Sequence, residues 1–235
     1  MESHDSTTLD INFENIKDHI ILVVPRGSSV YGTNNAISDK DFIVIVNDFC
    51  YLGNHQMCEY SETIDGIKYD YQIIKESRWI EMIHDHDIVA IEVLYLPEHN
   101  KSLFKDVIKF NTYAEIVAFL KYYRSYFVLD PWTLRKSLSK VSSNSWVKCK
   151  KKLTIEKDYN LYIAQKSLFH SLRILMFAID ILTTNSINFH GSNYILDEIK
   201  SIKNPTWEKY KERFHELHNK LQSELRMLAP KKEVI

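Results

Sequence analysis

The chain has 235 residues, 45 % of them hydrophobic and 26 % charged, which is enough apolar material for a core and excludes a disordered polymer. Its formal net charge of −1 hides a split: residues 1–128 carry eleven Lys/Arg against twenty Asp/Glu, and residues 129–235 carry nineteen against eleven. An acidic front and a basic back predict two lobes with different electrostatic tasks, the basic one either holding a polyanion or presenting ordinary solvated helix faces.

In chain order, MESHDSTTLD is polar and acidic, unlike a secretory signal or a basic transit peptide, and is expected to be a short floppy tail. IILVVP (20–25) predicts a buried strand ending at a turn on Gly27, and DFIVIV (41–46) a second β-branched run. QMCEYSETI and IKYDYQII flank Asp65-Gly66, a strong hairpin signal, so residues 56–74 are expected to form two antiparallel strands. ESRWIEMIHDHD switches to helical spacing, with Trp79, Ile80 and Ile83 on one side. Beyond about residue 110 only helices are predicted: TYAEIVAFLKYYRSYFV, the stretch after Pro131, residues 157–184, and PTWEKYKERFHELHNKLQSELRML with Pro205 just inside its start. The longest dense apolar run, RILMFAIDIL, is interrupted by Asp180, so no stretch is expected to reach the roughly 18 residues of a membrane span. Cys50, Cys58 and Cys149 show no metal or redox spacing; free thiols in a reducing, cytoplasmic setting follow.

The chemistry concentrates in RGSSVYGTNNAISDKD (26–41), which holds two of only five glycines. Residues i and i+2 of a strand share a face, so Asp39 and Asp41 stand side by side at the start of FIVIV. Adjacent carboxylates repel, and a divalent cation between them relieves that repulsion. Asp70, in the apolar strand IKYDYQII, is costly there unless something pairs with it. If that strand lies beside FIVIV, three carboxylates converge. Three oxygen donors without His or Cys suit Mg²⁺ or Mn²⁺. Each feature alone also fits a plain turn, a cap or a paired surface acid.

Together they resemble the signature of the DNA-polymerase-β-like nucleotidyltransferase superfamily: Gly27-Ser28, ten residues, Asp39-Lys40-Asp41, then a third acid, Asp70, on a later strand. GSSVYGTNNAISDKD is also similar to the predicted nucleotidyltransferases associated with RNA ligases. That similarity continues in VAIEVLYLPEH (89–99) and KSLFHSLRIL (166–175), so it touches about two-thirds of the chain, strongly at 24–46 and weakly beyond residue 100. The resemblance implies an α+β chain. A nucleotidyltransferase head with a short mixed β-sheet and flanking helices (1–110) precedes a helical, nucleotide- and substrate-binding C-terminal lobe (111–235). It implies transfer of a nucleoside monophosphate from an NTP, with ATP favoured, to a hydroxyl with release of pyrophosphate. Asp39, Asp41 and Asp70 would be the catalytic acids and metal ligands, and Asp70 would take the hydroxyl's proton. Gly27, Ser28 and Tyr31 would lie at the nucleotide. Arg26 departs from the apolar or aromatic residue that many relatives place there.

In the predicted helix 157–184, Lys166, His170 and Arg173 fall opposite a leucine face at about 100° per residue. They are expected either to neutralise the triphosphate across a polar cleft, as in the similar ligase-associated proteins, or to be a solvated face. RKSLSKVSSNSWVKCKKKL (135–153) offers Arg135, Lys136, Lys140, Lys148 and Lys151, with Trp146, as an RNA-binding run, or as a solvated helix end. His84-Asp85-His86 and His215/His218 lack metal-site geometry, and Glu92, an acid in an apolar segment, is expected to pair with a buried cation or a backbone donor. An RNA end, tRNA-like, is the favoured acceptor. A protein side chain, a small molecule, or a non-catalytic nucleotide- or RNA-binding module are the rival readings.

Overall fold

The computed structural model of the chain describes residues 13–34 and 38–232. The N-terminal tail and residues 35–37 of the signature loop lie outside the described residues. The fold is α+β, and the chain divides into two compact units: residues up to Met82 with Leu96–Tyr126, and Ile83–Tyr95 with the residues from Phe127 on.

The first unit is built on four strands, β1 (Ile20–Arg26), β2 (Lys40–Val46), β3 (Met57–Ile64) and β4 (Ile67–Lys75), in the order β1-β2-β4-β3. β1–β2 and β3–β4 pair antiparallel, whereas β2–β4 pair parallel, so the sheet is mixed. The β3–β4 hairpin turns on Asp65 (φ 51°) and Gly66 (φ 77°), both in the positive-φ region that a two-residue type I′ turn demands. Leu22, Val23, Val24, Ile43, Val44, Ile45, Ile73 and Ile74 are fully buried. β2 reads as a continuous apolar run because both its faces are covered beyond Asp41, and each such side chain contributes about 1.5–3 kcal/mol by burial.

β1 is an edge strand, and two of its backbone groups are met by one side chain. Asn111 accepts from Val23 N and donates to Ile21 O, both at 3.0 Å. Just after it, a capping box of Thr112 and Glu115 starts helix α5 (Tyr113–Arg124). For this numbering α1 is Phe13–Ile16, α2 Ser28–Tyr31, α3 Glu76–His84 and α4 Ile88–Leu94. α5 belongs with the sheet unit: the Tyr123 hydroxyl donates to Glu76 (3.0 Å), and its ring meets Trp79 edge-on at 6.2 Å. It ends at Arg124, short of the expected Val128.

The second unit is helical: α4, α6 (Pro131–Thr154), α7 (Leu161–Thr184), α8 (Asn193–Ser201) and α9 (Trp207–Leu228). Asp130 caps α6, accepting from Thr133 N at 2.7 Å, with Pro131 in the first turn. Asn160 caps α7, so that helix begins four residues later than periodicity suggests. Thr206 caps α9 and leaves Pro205 outside it, where the sequence placed Pro205 inside. The expectation that no stretch reaches span length is corrected by α7, which is long and apolar enough to cross a membrane by length and composition. Yet 61 % of its most apolar window is buried within the protein, as in a core helix.

Candidate active site

A polar row crosses the sheet. Arg26 of β1 stands opposite Asp41 of β2, Asp41 beside Asp70 of β4, and Asp70 opposite Ser61 of β3. Directly paired residues project to one face, so the parallel β2–β4 register brings Asp41 and Asp70 together. Asp39 lies one residue before β2 and is exposed. Lys68 is bonded to Asp70, and the charges of Asp39 and Asp41 add to the pull on its ammonium.

Gly27 is fixed by this row. Its φ is +69°, and a Cβ there would lie 2.4 Å from Asp41 Oδ2, so the carboxylate packs where any other residue's side chain would begin. Ser28 opens the short α2, and the Ser29 hydroxyl donates to Arg26 O at 2.9 Å, closing the turn against the strand end. Tyr31, expected at the nucleotide, is buried.

Asp70 has a partner on each side. Ser61 Oγ donates to it at 2.5 Å and Lys68 Nζ lies 2.8 Å away. Burial alone would raise the Asp70 carboxyl, but the hydrogen bonds from Lys68 and Ser61, with the Lys68 charge, outweigh it and hold the acid below its ordinary value. Lys68 is raised in turn, chiefly by its bond to Asp70. Two residues on, Gln72 Oε1 accepts from Arg26 Nη1 at 2.5 Å. These side chains line an open groove of about 280 Å³ that includes Glu59. The opposite face is closed by stacked rings: Phe42 on Tyr71 (5.4 Å), Tyr60 on Tyr71 (5.9 Å) and Phe42 on Tyr69 (6.1 Å). The Tyr71 hydroxyl donates to Glu62 at 2.9 Å.

The groove offers carboxylates and no Cys or His, the donor chemistry of a hard divalent ion, and the missing Cβ of Gly27 leaves Asp41 its place. Among the described residues, no three His, Cys, Asp or Glu side chains stand close enough together to hold a metal as they are. Asp70 is engaged by Lys68 and Ser61, and Asp39 faces solvent.

In the helical unit, the expected cationic stripe divides. Lys166 is exposed, with Nζ 5.2 Å from the centre of the Tyr162 ring, and His170 is half-buried. Arg173 is 6 % exposed, buried where the sequence predicted a face toward water or a polar cleft. Its guanidinium lies 3.9 Å from buried Glu92, over the Phe169 and Phe177 rings, and donates to His170 Nδ1 at 3.1 Å. Glu92 thus has the buried cation expected for it. On α6, Lys136, Lys140, Lys148 and Lys151 are exposed. Arg135 instead donates to Ala229 O at 2.6 Å and covers the Trp132 ring, and Trp146 stacks on His218 (4.5 Å) and against Trp207 (5.4 Å). Neither lies open on the helix's basic face. His86 is structural: its ring accepts from Asp130 N at 3.0 Å, so its other nitrogen donates to His84 O.

Ser61, Lys68 and Gln72 were missed by sequence reasoning, though a signal was present. A two-residue turn at Asp65-Gly66 pairs 64 with 67 and therefore 61 with 70, and period two puts 68 and 72 on the face of Asp70.

Neither a protein-family model nor a curated protein matches the chain. Among solved structures it is similar to a nucleotidyltransferase-like protein from Exiguobacterium sibiricum, at 11 % identity over 91 % of this chain and 71 % of that one, with a TM-score of 0.32. At that overlap no residue of one chain can be equated with a residue of the other.

Proposed function

We propose that the chain is a metal-dependent nucleotidyltransferase moving a nucleoside monophosphate from an NTP, ATP by preference, to a hydroxyl at an RNA end, with release of pyrophosphate. The observation that carries the reading is the Asp41–Asp70 pair, set in register on adjacent parallel strands and backed by a glycine whose Cβ would occupy the space of Asp41. Asp41 and Asp70, with Asp39 at the mouth of β2, would hold Mg²⁺ or Mn²⁺. The ion would supply Lewis acidity and a template for in-line displacement. Gly27 and Ser28 sit at the end of β1 beside Asp41, close enough in the chain to meet the phosphates of a nucleotide held there. Arg26 adds a cation to the same row. Asp70 would take the hydroxyl's proton, from a resting state in which Lys68 and Ser61 hold it ionised.

An RNA acceptor is favoured by α6, whose 24 residues hold seven Lys/Arg and no Asp or Glu, with Lys136, Lys140, Lys148, Lys150 and Lys151 exposed. The test is transfer of label from each α-³²P-NTP into RNA and protein extracts with Mg²⁺, comparing wild type with Asp41→Asn and Asp70→Asn. Label in RNA that both variants abolish is the expected result. Acid-dependent label in protein would keep the chemistry and change the acceptor. Label indifferent to both substitutions, or none in any fraction, would overturn the reading.

A further inference from the structure

We infer that Lys68 is the resident counter-ion of the acidic row, a positioning residue that a divalent ion must displace from Asp70 before the site is loaded. The inference rests on the metal-dependent reading above. β4 alternates, so Lys68 and Asp70 share the groove face, and Lys68 Nζ lies 2.8 Å from the carboxylate. Ser61 Oγ holds the same carboxylate from β3 at 2.5 Å. Both carboxylate oxygens of Asp70 are thus engaged, Oδ1 by Ser61 and Oδ2 by Lys68, on a side chain that is 29 % exposed. The two partners are not equivalent. A hydroxyl dipole can remain hydrogen-bonded to a carboxylate that also binds a metal, whereas an ammonium beside a divalent ion places three positive charges together.

The Lys68 side chain is 48 % exposed on a flexible stem, so it can swing into water with no change of backbone, while Ser61 stays. In the ion-free protein the same ammonium offsets the repulsion between Asp70 and Asp41, its neighbour in register on β2. Loading is thus an exchange of one cation for another, and the ion's apparent affinity is lowered by the affinity of the lysine it replaces.

The test is a Mn²⁺ titration of the full chain followed by the paramagnetic resonance of free Mn²⁺, on wild type, Lys68→Met, Lys68→Arg and Asp70→Asn. Removing the ammonium is expected to tighten Mn²⁺ about tenfold, the combined effect of a lost competitor and a lost repulsion. Lys68→Arg should restore the wild-type value to within about twofold, because the charge matters and not the fold. Asp70→Asn should weaken binding. Equal or weaker binding in Lys68→Met, or binding indifferent to Asp70→Asn, would overturn the inference and leave the enzyme reading standing. Absence of Mn²⁺ binding in wild type and Lys68→Met alike would remove the metal-dependent reading itself, and this inference with it.

Discussion

Gly27→Ala perturbs the site from behind. The backbone at residue 27 (φ 69°, ψ −145°) lies in a region open essentially to glycine, and forcing alanine into it costs about 1–3 kcal/mol. The new Cβ would then meet Asp41 Oδ2 at 2.4 Å, Cγ at 3.1 Å and Cβ at 3.3 Å, where ordinary contact begins at 3.4 Å. The carboxylate end must therefore retreat by about 1 Å, which a short side chain can do by rotating. So the clash should weigh on the position of Asp41 more than on stability. A displacement of that size costs about a hundredfold in a reaction that depends on alignment. Gly66→Ala is the matched control, because Gly66 also has positive φ (+77°) but nothing within 4 Å of its added Cβ. Urea unfolding of both variants should show comparable losses of about 1–3 kcal/mol. Only Gly27→Ala should lose Mn²⁺ binding and nucleotide transfer. Wild-type Mn²⁺ affinity and transfer in folded Gly27→Ala would refute the claim that glycine is there to make room for Asp41.

Two further outcomes concern the helical unit. Glu92→Leu leaves the Arg173 guanidinium buried without its carboxylate and should destabilise by about 3 kcal/mol, and adding Arg173→Met should recover at least half of this in urea unfolding. Burial, then neighbouring His215, push the His218 pKa from 6.5 down to about 4, so the folded state binds its proton less readily than the unfolded chain does. That contribution is fully present above about pH 6.5 and is lost as pH falls toward and below 4. The shift amounts to about 2 kcal/mol once solvent screening is allowed for. His218→Phe should remove this part of the acid sensitivity, seen as a smaller drop in unfolding free energy between pH 7 and pH 4 than wild type shows.

Much of the sheet was legible because its signals are local. Asp65-Gly66 names its own turn, and FIVIV announces a strand covered on both faces. Caps were harder to read: Asn160 and Thr206 moved helix starts past where periodicity put them, since a side-chain acceptor decides the first turn. At the site, Asp41 and Asp70 could be guessed but not paired, because parallel neighbours are brought together by topology and no short-range pattern records it. Arg173 shows the limit of a helical wheel. Angle alone placed it on the polar face, yet Glu92, 81 positions earlier, gives it a partner inside the unit.

The type I′ turn has a consequence for how this chain can change length. The β2–β3 connection, residues 47–56, does not set the β2–β4 register, which its own ladder holds. It is anchored by Asp48, which accepts from Ser77, and by buried Cys50 and Leu52, so residues can be gained or lost around 53–55 without moving Asp41 relative to Asp70. Residues 65 and 66 have no such freedom. A one-residue slip of the hairpin would bring Tyr60 or Glu62 opposite Asp70 in place of Ser61, exchanging a hydroxyl for an aromatic ring or for one more negative charge. Length is therefore continuous in one connection and quantised in the other, and insertions among diverging copies of this chain belong in the first.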